Sequence, residues 1–230
     1  MDEGLEQAIE DSRDRGVCIR GVAWSGLSSQ LKRRSRRKPL RCLDPQRVAQ
    51  LETALWVAYY RREWLRFLRA AAFVMRHVFG LTWLATVRGS WFLMRATQLW
   101  APCPDNDPVA ARYAMERFYR LLKQHSDEPF DPAEAARLEV EWWHVHRAHQ
   151  YSAVRSDGQA LVDALSALYA HAFGVPDTAV RVAAQERALA MRYCDQWVRA
   201  GCNLESSLIA HKRAALVRCY ASLSAAVRRP

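Results

Sequence analysis

The sequence predicts an all-α fold, a single-domain bundle of about seven helices that follows a mobile, basic N-terminal tail. From residue 44 onward, apolar residues recur at helical spacing, and no run of alternating β-branched residues indicates a strand. The dipeptide Asp-Pro also occurs three times directly before such a helical pattern. The 230 residues are 50% hydrophobic and 25% charged, which is typical of a globular domain and excludes a collagenous or wholly disordered chain.

Residues 1–43 differ in composition from the rest of the chain. They end in a dense basic run made of Lys32, Arg33, Arg34, Arg36, Arg37, Lys38 and Arg41. No carboxylate lies between Asp14 and Asp44 to balance this charge. Because like charges repel and the run offers little apolar surface to bury, we expect a flexible tail. The helical domain is therefore predicted to span residues 44–230.

The helices are predicted from their start signals and their apolar spacing. An aspartate side chain caps free backbone N–H groups and proline fits the first helical turn, so Asp44, Asp107 and Asp131 each predict a helix start. The predicted segments are 45–79, 82–99, 108–124, 132–151, 158–173, 177–200 and 206–228.

Targeting and redox signals point to the cytoplasm. The N-terminus lacks the apolar segment of a signal peptide, and no stretch reaches the roughly 18–20 uncharged apolar residues of a membrane-spanning helix. The six cysteines are scattered without a CxxC pair, which favours reduced thiols over disulfides or a metal finger. We expect a cytoplasmic protein, soluble or at most peripheral to a membrane.

The helix predicted over residues 132–151 carries the densest set of reactive side chains. Its Glu141-x-x-His144 spacing occurs in di-iron bundles, but the helical wheel turns both residues away from the buried side. Glu139 and His146 instead share a stripe with Trp143 along the edge of the buried face. Desolvation there raises the pKa of a carboxyl group, so Glu139 and His146 are the candidate catalytic residues.

Two further polar residues are predicted to point inward. Asp195 lies near the centre of an apolar helix face, and His171 lies at the edge of another. A buried aspartate needs a partner, and the alternative to a common site is an ion pair with an arginine such as Arg95 or Arg147. Glu139, His146, His171 and Asp195 therefore form the candidate metal-ligand set. The alternative for each is an ordinary hydrogen bond between helices.

The pair Glu139-x6-His146 on one helix resembles the haem-oxygenase-like di-iron oxidases, a superfamily of helical proteins of similar size. The resemblance implies iron held by carboxylate and imidazole ligands. It covers one helix of the chain. The family also places His-x-x-x-Asp-x-x-His on a late helix, and Asp195 has no histidine at either spacing.

Two functions of different classes remain open. The first is an enzyme with an aromatic-lined pocket for a lipophilic small molecule, either a non-haem-metal oxidoreductase or a metal-free enzyme in which Glu139 or His146 is the general base. The alternative is a basic interaction module that binds nucleic acid, acidic protein or an anionic membrane. Its surface would be the basic tail together with the stripe of Arg62, Arg66, Arg69 and Arg76, which is otherwise a solvated helix face. A homo-oligomer is compatible with both.

Overall fold

The computed structural model describes residues 41–151 and 158–228, and every regular element in these ranges is an α-helix. The predicted all-α fold is confirmed. Residues 1–40, which hold nearly all of the predicted tail, lie outside the described residues. The described helices are α1 (Pro45–Tyr60), α2 (Trp64–His77), α3 (Trp83–Trp100), α4 (Pro108–His125), α5 (Pro132–Tyr151), α6 (Gln159–Phe173), α7 (Asp177–Arg199) and α8 (Ser207–Val227).

The three Asp-Pro signals begin helices as predicted. The carboxylate of Asp44 accepts hydrogen bonds from the backbone N–H groups of Gln46 and Arg47 at the start of α1. Asp107 caps α4 and Asp131 caps α5 in the same way, with N···O distances of 2.9 Å in both cases. These bonds satisfy backbone donors that the first helical turn leaves without partners.

The first predicted helix, 45–79, is wrong as a single segment, because the chain turns at residues 61–63 and forms α1 and α2. Arg62 has a φ of 58°, the left-handed conformation that a non-glycine residue adopts only with support. Its guanidinium donates to the carbonyl of Ala101 at 2.9 Å and packs over the rings of Tyr59 and Trp64. The described ranges therefore hold eight helices where the sequence predicts seven.

The helices form a closed ring within one compact unit. Each helix packs against the next along the chain, and α8 returns to pack against α1. Side chains of eight helices arranged in a ring meet between neighbouring helices and leave space at the centre. This ring is the structural origin of the cavity described below.

Arg41 belongs to the folded part of the chain, although the sequence assigns it to the tail. Its side chain is buried and forms two-pronged hydrogen bonds to the Glu128 carboxylate, with the Nε atom 2.9 Å from Oε1. The same guanidinium donates to the carbonyls of Val227, at 2.7 Å, and Phe173, at 2.9 Å. Arg41 thus fixes the start of the domain to the ends of α6 and α8.

Among the described helices, none is long and apolar enough to cross a membrane. The cysteines in the same ranges are free thiols: Cys42, Cys103, Cys194, Cys202 and Cys219.

Candidate functional site

A cavity of about 620 Å³ occupies the centre of the ring, and all eight helices contribute side chains to its wall. Aromatic and aliphatic groups dominate the wall, including Trp56, Phe118, Trp142, Leu168 and Phe173. The volume lies within the range of about 300–1,000 Å³ that is usual for sites that bind small organic molecules. A few polar side chains interrupt this apolar wall, and these determine its chemistry.

His146 and Asp195, both proposed from the sequence, meet in the wall of the cavity. Each is 4% exposed, and His146 Nε2 lies 3.1 Å from Asp195 Oδ1. An ionised carboxylate only accepts hydrogen bonds, so the Nε2 atom of His146 donates to Asp195, and in the neutral form of the ring the lone pair is on Nδ1. Gln150 also donates to Asp195 Oδ1, at 2.6 Å, which fixes the carboxylate. The alternative partners, Arg95 and Arg147, bind elsewhere.

Glu139 lines the same cavity, about 10.5 Å further along α5 from His146, given the helical rise. Its carboxylate accepts hydrogen bonds from the Tyr119 hydroxyl, at 2.7 Å, and the Trp143 indole, at 3.2 Å. Burial raises the pKa of Glu139 above its usual value, while the Tyr119 bond and the charge of Arg187 oppose the rise. The raised pKa agrees with the expectation from the flanking tryptophans.

Trp142 lines the cavity close to Glu139. Its side chain is 1% exposed, and its indole Nε1–H makes no hydrogen bond of normal geometry to the described residues. The indole still helps to hold down the pKa of Glu139. The Glu139 carboxylate therefore lies near this N–H, although the two groups form no hydrogen bond of normal geometry.

A second polar group in the wall was missed by sequence reasoning. Glu52 of α1 pairs with Arg187 of α7 at 2.7 Å, and the Tyr220 hydroxyl donates to the same carboxylate. Burial alone would lower the pKa of Arg187, but the charge of Glu52, together with the smaller effects of Tyr169, Tyr220 and Cys219, outweighs it and raises the pKa well above the usual value. Arg187 lies eight residues before Asp195, so its place beside the inward stripe of α7 was readable from the sequence.

His171 does not join the site. Its Nε2 atom lies 3.1 Å from the backbone N and O atoms of Asp131, and its side chain does not line the cavity. In the two described ranges, no three histidine, cysteine or carboxylate side chains group closely enough to hold a metal ion. The proposed ligand set of Glu139, His146, His171 and Asp195 is therefore not assembled, and these residues do not fit the iron that the resemblance implies.

The mouth of the cavity is basic. Its exposed lining residues are Arg62, Cys103, Tyr151 and Arg199, and Arg147 lies beside them. Arg147 donates to the Trp100 carbonyl at 2.7 Å, as Arg62 does to another backbone carbonyl. Within the described part of the chain, none of these three arginines pairs with a carboxylate. The mouth therefore attracts an anionic group.

The predicted basic stripe is divided between two places. Arg62 lies in the turn before α2 and lines the cavity mouth. Arg66, Arg69 and Arg76 lie on the exposed side of α2. Arg66 pairs with Glu63 at 3.0 Å, whereas Arg69 packs over Phe73 and Arg76 over Trp83.

Comparisons of the chain with protein family models, with curated proteins and with solved structures found no match. The function of the chain is therefore inferred from the geometry of the cavity.

Proposed function

We propose that this chain is an enzyme that binds a mainly apolar small molecule with an acidic head group in the central cavity, where His146 exchanges a proton with it. The observation that carries the proposal is the buried His146–Asp195 pair in the wall of a large apolar cavity. A histidine oriented by a carboxylate is a common arrangement for general acid–base catalysis.

The distribution of charge supports one orientation of the bound molecule. An acidic head group would lie at the mouth, where Arg62, Arg147 and Arg199 have no carboxylate partner in the described ranges. The apolar part would extend inward along Trp142 and Leu168, where burial of apolar surface contributes roughly 25 cal/mol per Å². In this orientation, the atoms nearest the head group lie closest to His146, since Gln150 and Tyr151 are only about one turn away on α5.

His146 and Asp195 have different roles in this proposal. The Nδ1 atom of His146 accepts the proton, because Asp195 already binds the Nε2–H group. Asp195 is a positioning residue that selects the tautomer and stabilises the imidazolium that forms. Glu139, with its raised pKa, is a second proton carrier deeper in the cavity. No step of the proposal uses a metal.

Filling the cavity is expected to abolish binding of a matching probe. Ala172 lines the cavity, so Ala172→Phe places a ring inside it, whereas Ala170 lies on the same helix and does not line it. We expect a fluorescent fatty acid to bind the unaltered chain and to bind Ala172→Phe at least about tenfold more weakly, or 1.4 kcal/mol. Fluorescence titration measures the change. The control Ala170→Phe should retain binding.

The methyl ester of the same fatty acid tests the charge at the mouth. The unaltered chain should prefer the acid, and Arg199→Gln should remove much of that preference, because an exposed arginine attracts the carboxylate. Equal affinities for acid and ester, or equal binding by Ala172→Phe and Ala170→Phe, would refute this function.

A further inference from the structure

Helices α2 and α3 carry an unusual number of exposed apolar side chains. Leu65 is 85% exposed, Trp83 71% and Leu84 69%, values typical of charged surface residues. The whole set, together with the exposed arginines of the same two helices, is called the α2–α3 surface. It consists of Leu65, Arg66, Arg69, Phe73, Arg76, Trp83, Leu84, Val87, Arg88, Trp91 and Arg95.

These residues lie on one side of the helix pair. On α2 they recur every three or four residues from position 65 to position 76, and on α3 they recur in the same way from position 84 to position 95. Helical spacing of this kind places side chains along one stripe. The α2 and α3 helices pack against each other, and Arg76 at the end of the first stripe packs over Trp83 at the start of α3, so the stripes adjoin there. Their opposite faces, with Phe67 and Leu93, line the cavity.

All the charged side chains of the α2–α3 surface are arginines. Residues 64–104 contain five arginines and no aspartate or glutamate. Of the five, Arg66 pairs with Glu63, which precedes α2. No other ion pair involves these arginines in the described residues. The surface thus combines uncompensated positive charge with exposed tryptophan, leucine and valine.

We infer that the α2–α3 surface docks on a lipid bilayer that contains anionic phospholipids. Arginine side chains bind the phosphate groups, and Trp83, Leu84 and Val87 enter the boundary between head groups and acyl chains. This pattern, with aromatic and aliphatic side chains flanked by arginines, is typical of interfacial helices that lie on a membrane. The inference rests on the outer face of α2 and α3 and is independent of the ligand proposed for the cavity.

Other partners fit the α2–α3 surface less well. A nucleic acid would use the arginines but would leave Leu65, Leu84 and Val87 in water, since aliphatic side chains gain nothing from phosphates. A second copy of the chain, paired through the same surface, would bring two sets of five arginines together. Like charges across an interface oppose association. A bilayer uses both the charge and the apolar side chains.

Binding of the full chain to vesicles tests this inference. The probes are vesicles of phosphatidylcholine alone and vesicles with about one third phosphatidylglycerol, separated by flotation. We expect binding to the anionic vesicles that weakens by about tenfold or more in Trp83→Ser/Leu84→Ser and, separately, in Arg88→Glu/Arg95→Glu. If the first double variant does not fold, Leu84→Ser alone replaces it.

The matched controls lie on other helices. Val109 of α4 and Val182 of α7 are 79% and 57% exposed, so Val109→Ser/Val182→Ser removes equally exposed apolar groups. Arg192→Glu/Arg213→Glu changes the charge equally at exposed positions of α7 and α8. Both control variants should bind the anionic vesicles like the unaltered chain. All variants keep residues 1–40, so the basic segment contributes equally to each.

Three results would overturn the inference. The first is equal vesicle binding by the control variants and the α2–α3 variants. The second is loss of binding in Arg88→Glu/Arg95→Glu alone, which would indicate a purely electrostatic surface for a polyanion. The third is a dimer in vesicle-free sedimentation that Trp83→Ser/Leu84→Ser converts to monomer while vesicle binding is unchanged.

Discussion

Replacement of Arg187 by methionine is expected to lower the free energy of unfolding by about 3–5 kcal/mol, because it leaves the Glu52 carboxylate in the interior without its partner. Arg187 and Glu52 are 2.7 Å apart, and both side chains are nearly buried. The guanidinium also binds the hydroxyl groups of Tyr169, at 3.2 Å, and Tyr220, at 3.1 Å. Those hydroxyl groups lose a donor in the variant. Urea denaturation measures the loss.

Arg181→Met is the matched control for this prediction. Arg181 lies on the same helix and pairs with Asp163 at 2.9 Å, but the two side chains are 38% and 55% exposed. Exposed pairs contribute about 0–1 kcal/mol, so the control should change stability little. Glu52→Gln combined with Arg187→Met should recover part of the loss, because no unpaired charge remains. Equal losses of unfolding free energy in Arg181→Met and Arg187→Met would show that the Arg187–Glu52 pair is not buried.

Replacement of Arg41 by methionine in the full chain is also expected to lower the free energy of unfolding by about 3–5 kcal/mol. The variant leaves the buried Glu128 carboxylate unpaired and removes the donor from the carbonyls of Val227 and Phe173. Glu128, the end of α6 and the end of α8 then lose the side chain that connects them. Thermal or urea unfolding measures this change, with Arg137→Met as the control, because Arg137 pairs with Glu134 on the surface.

Two chains shortened at the N-terminus test the same Arg41 contact by keeping or removing this residue. A chain that begins at residue 38 keeps Arg41, and we expect it to unfold like the full chain. A chain that begins at residue 44, the boundary predicted from the sequence, should lose as much stability as Arg41→Met. If both shortened chains were equally stable, Arg41 would not hold the domain together.

Local chemistry explains which features of the fold could be predicted from the sequence. The starts of α1, α4 and α5 follow from Asp44, Asp107 and Asp131, because a capping carboxylate acts within its own turn. The break at Arg62 has no glycine or proline to mark it. It depends on the Ala101 carbonyl and on aromatic rings, and the carbonyl comes from a distant part of the chain.

In the candidate site, too, some features follow from the local sequence and others depend on contacts between distant parts of the chain. Helical spacing places His146 and Asp195 on inward faces, but only the closing of the ring lets side chains of α5 and α7 meet inside it and makes these two residues partners. His171 was expected to point toward the same site. It lies near the end of α6, where the backbone of Asp131 is close enough to bind it.

The mouth of the cavity was not predictable. It combines Arg62 from the turn before α2, Arg147 from α5 and Arg199 from α7. No local sequence feature distinguishes any of these three arginines, and only the packing of the helix ends brings them together. Arg41 was wrongly assigned to the tail because its sequence neighbours are basic. Those neighbours give no information about the carboxylate of Glu128, which is distant in the sequence and binds Arg41 in the fold.

Histidine NMR of the chain, with and without the fatty acid probe, tests the central claim most directly. His146→Gln identifies the signals of His146. The account predicts a proton on Nε2 of His146, and signals that shift when the probe binds the unaltered chain but do not shift on addition of the probe to Ala172→Phe. Probe binding that leaves the His146 signals unmoved, or a proton on Nδ1, would contradict the account, because the ligand would then lie elsewhere or Asp195 would not orient the ring.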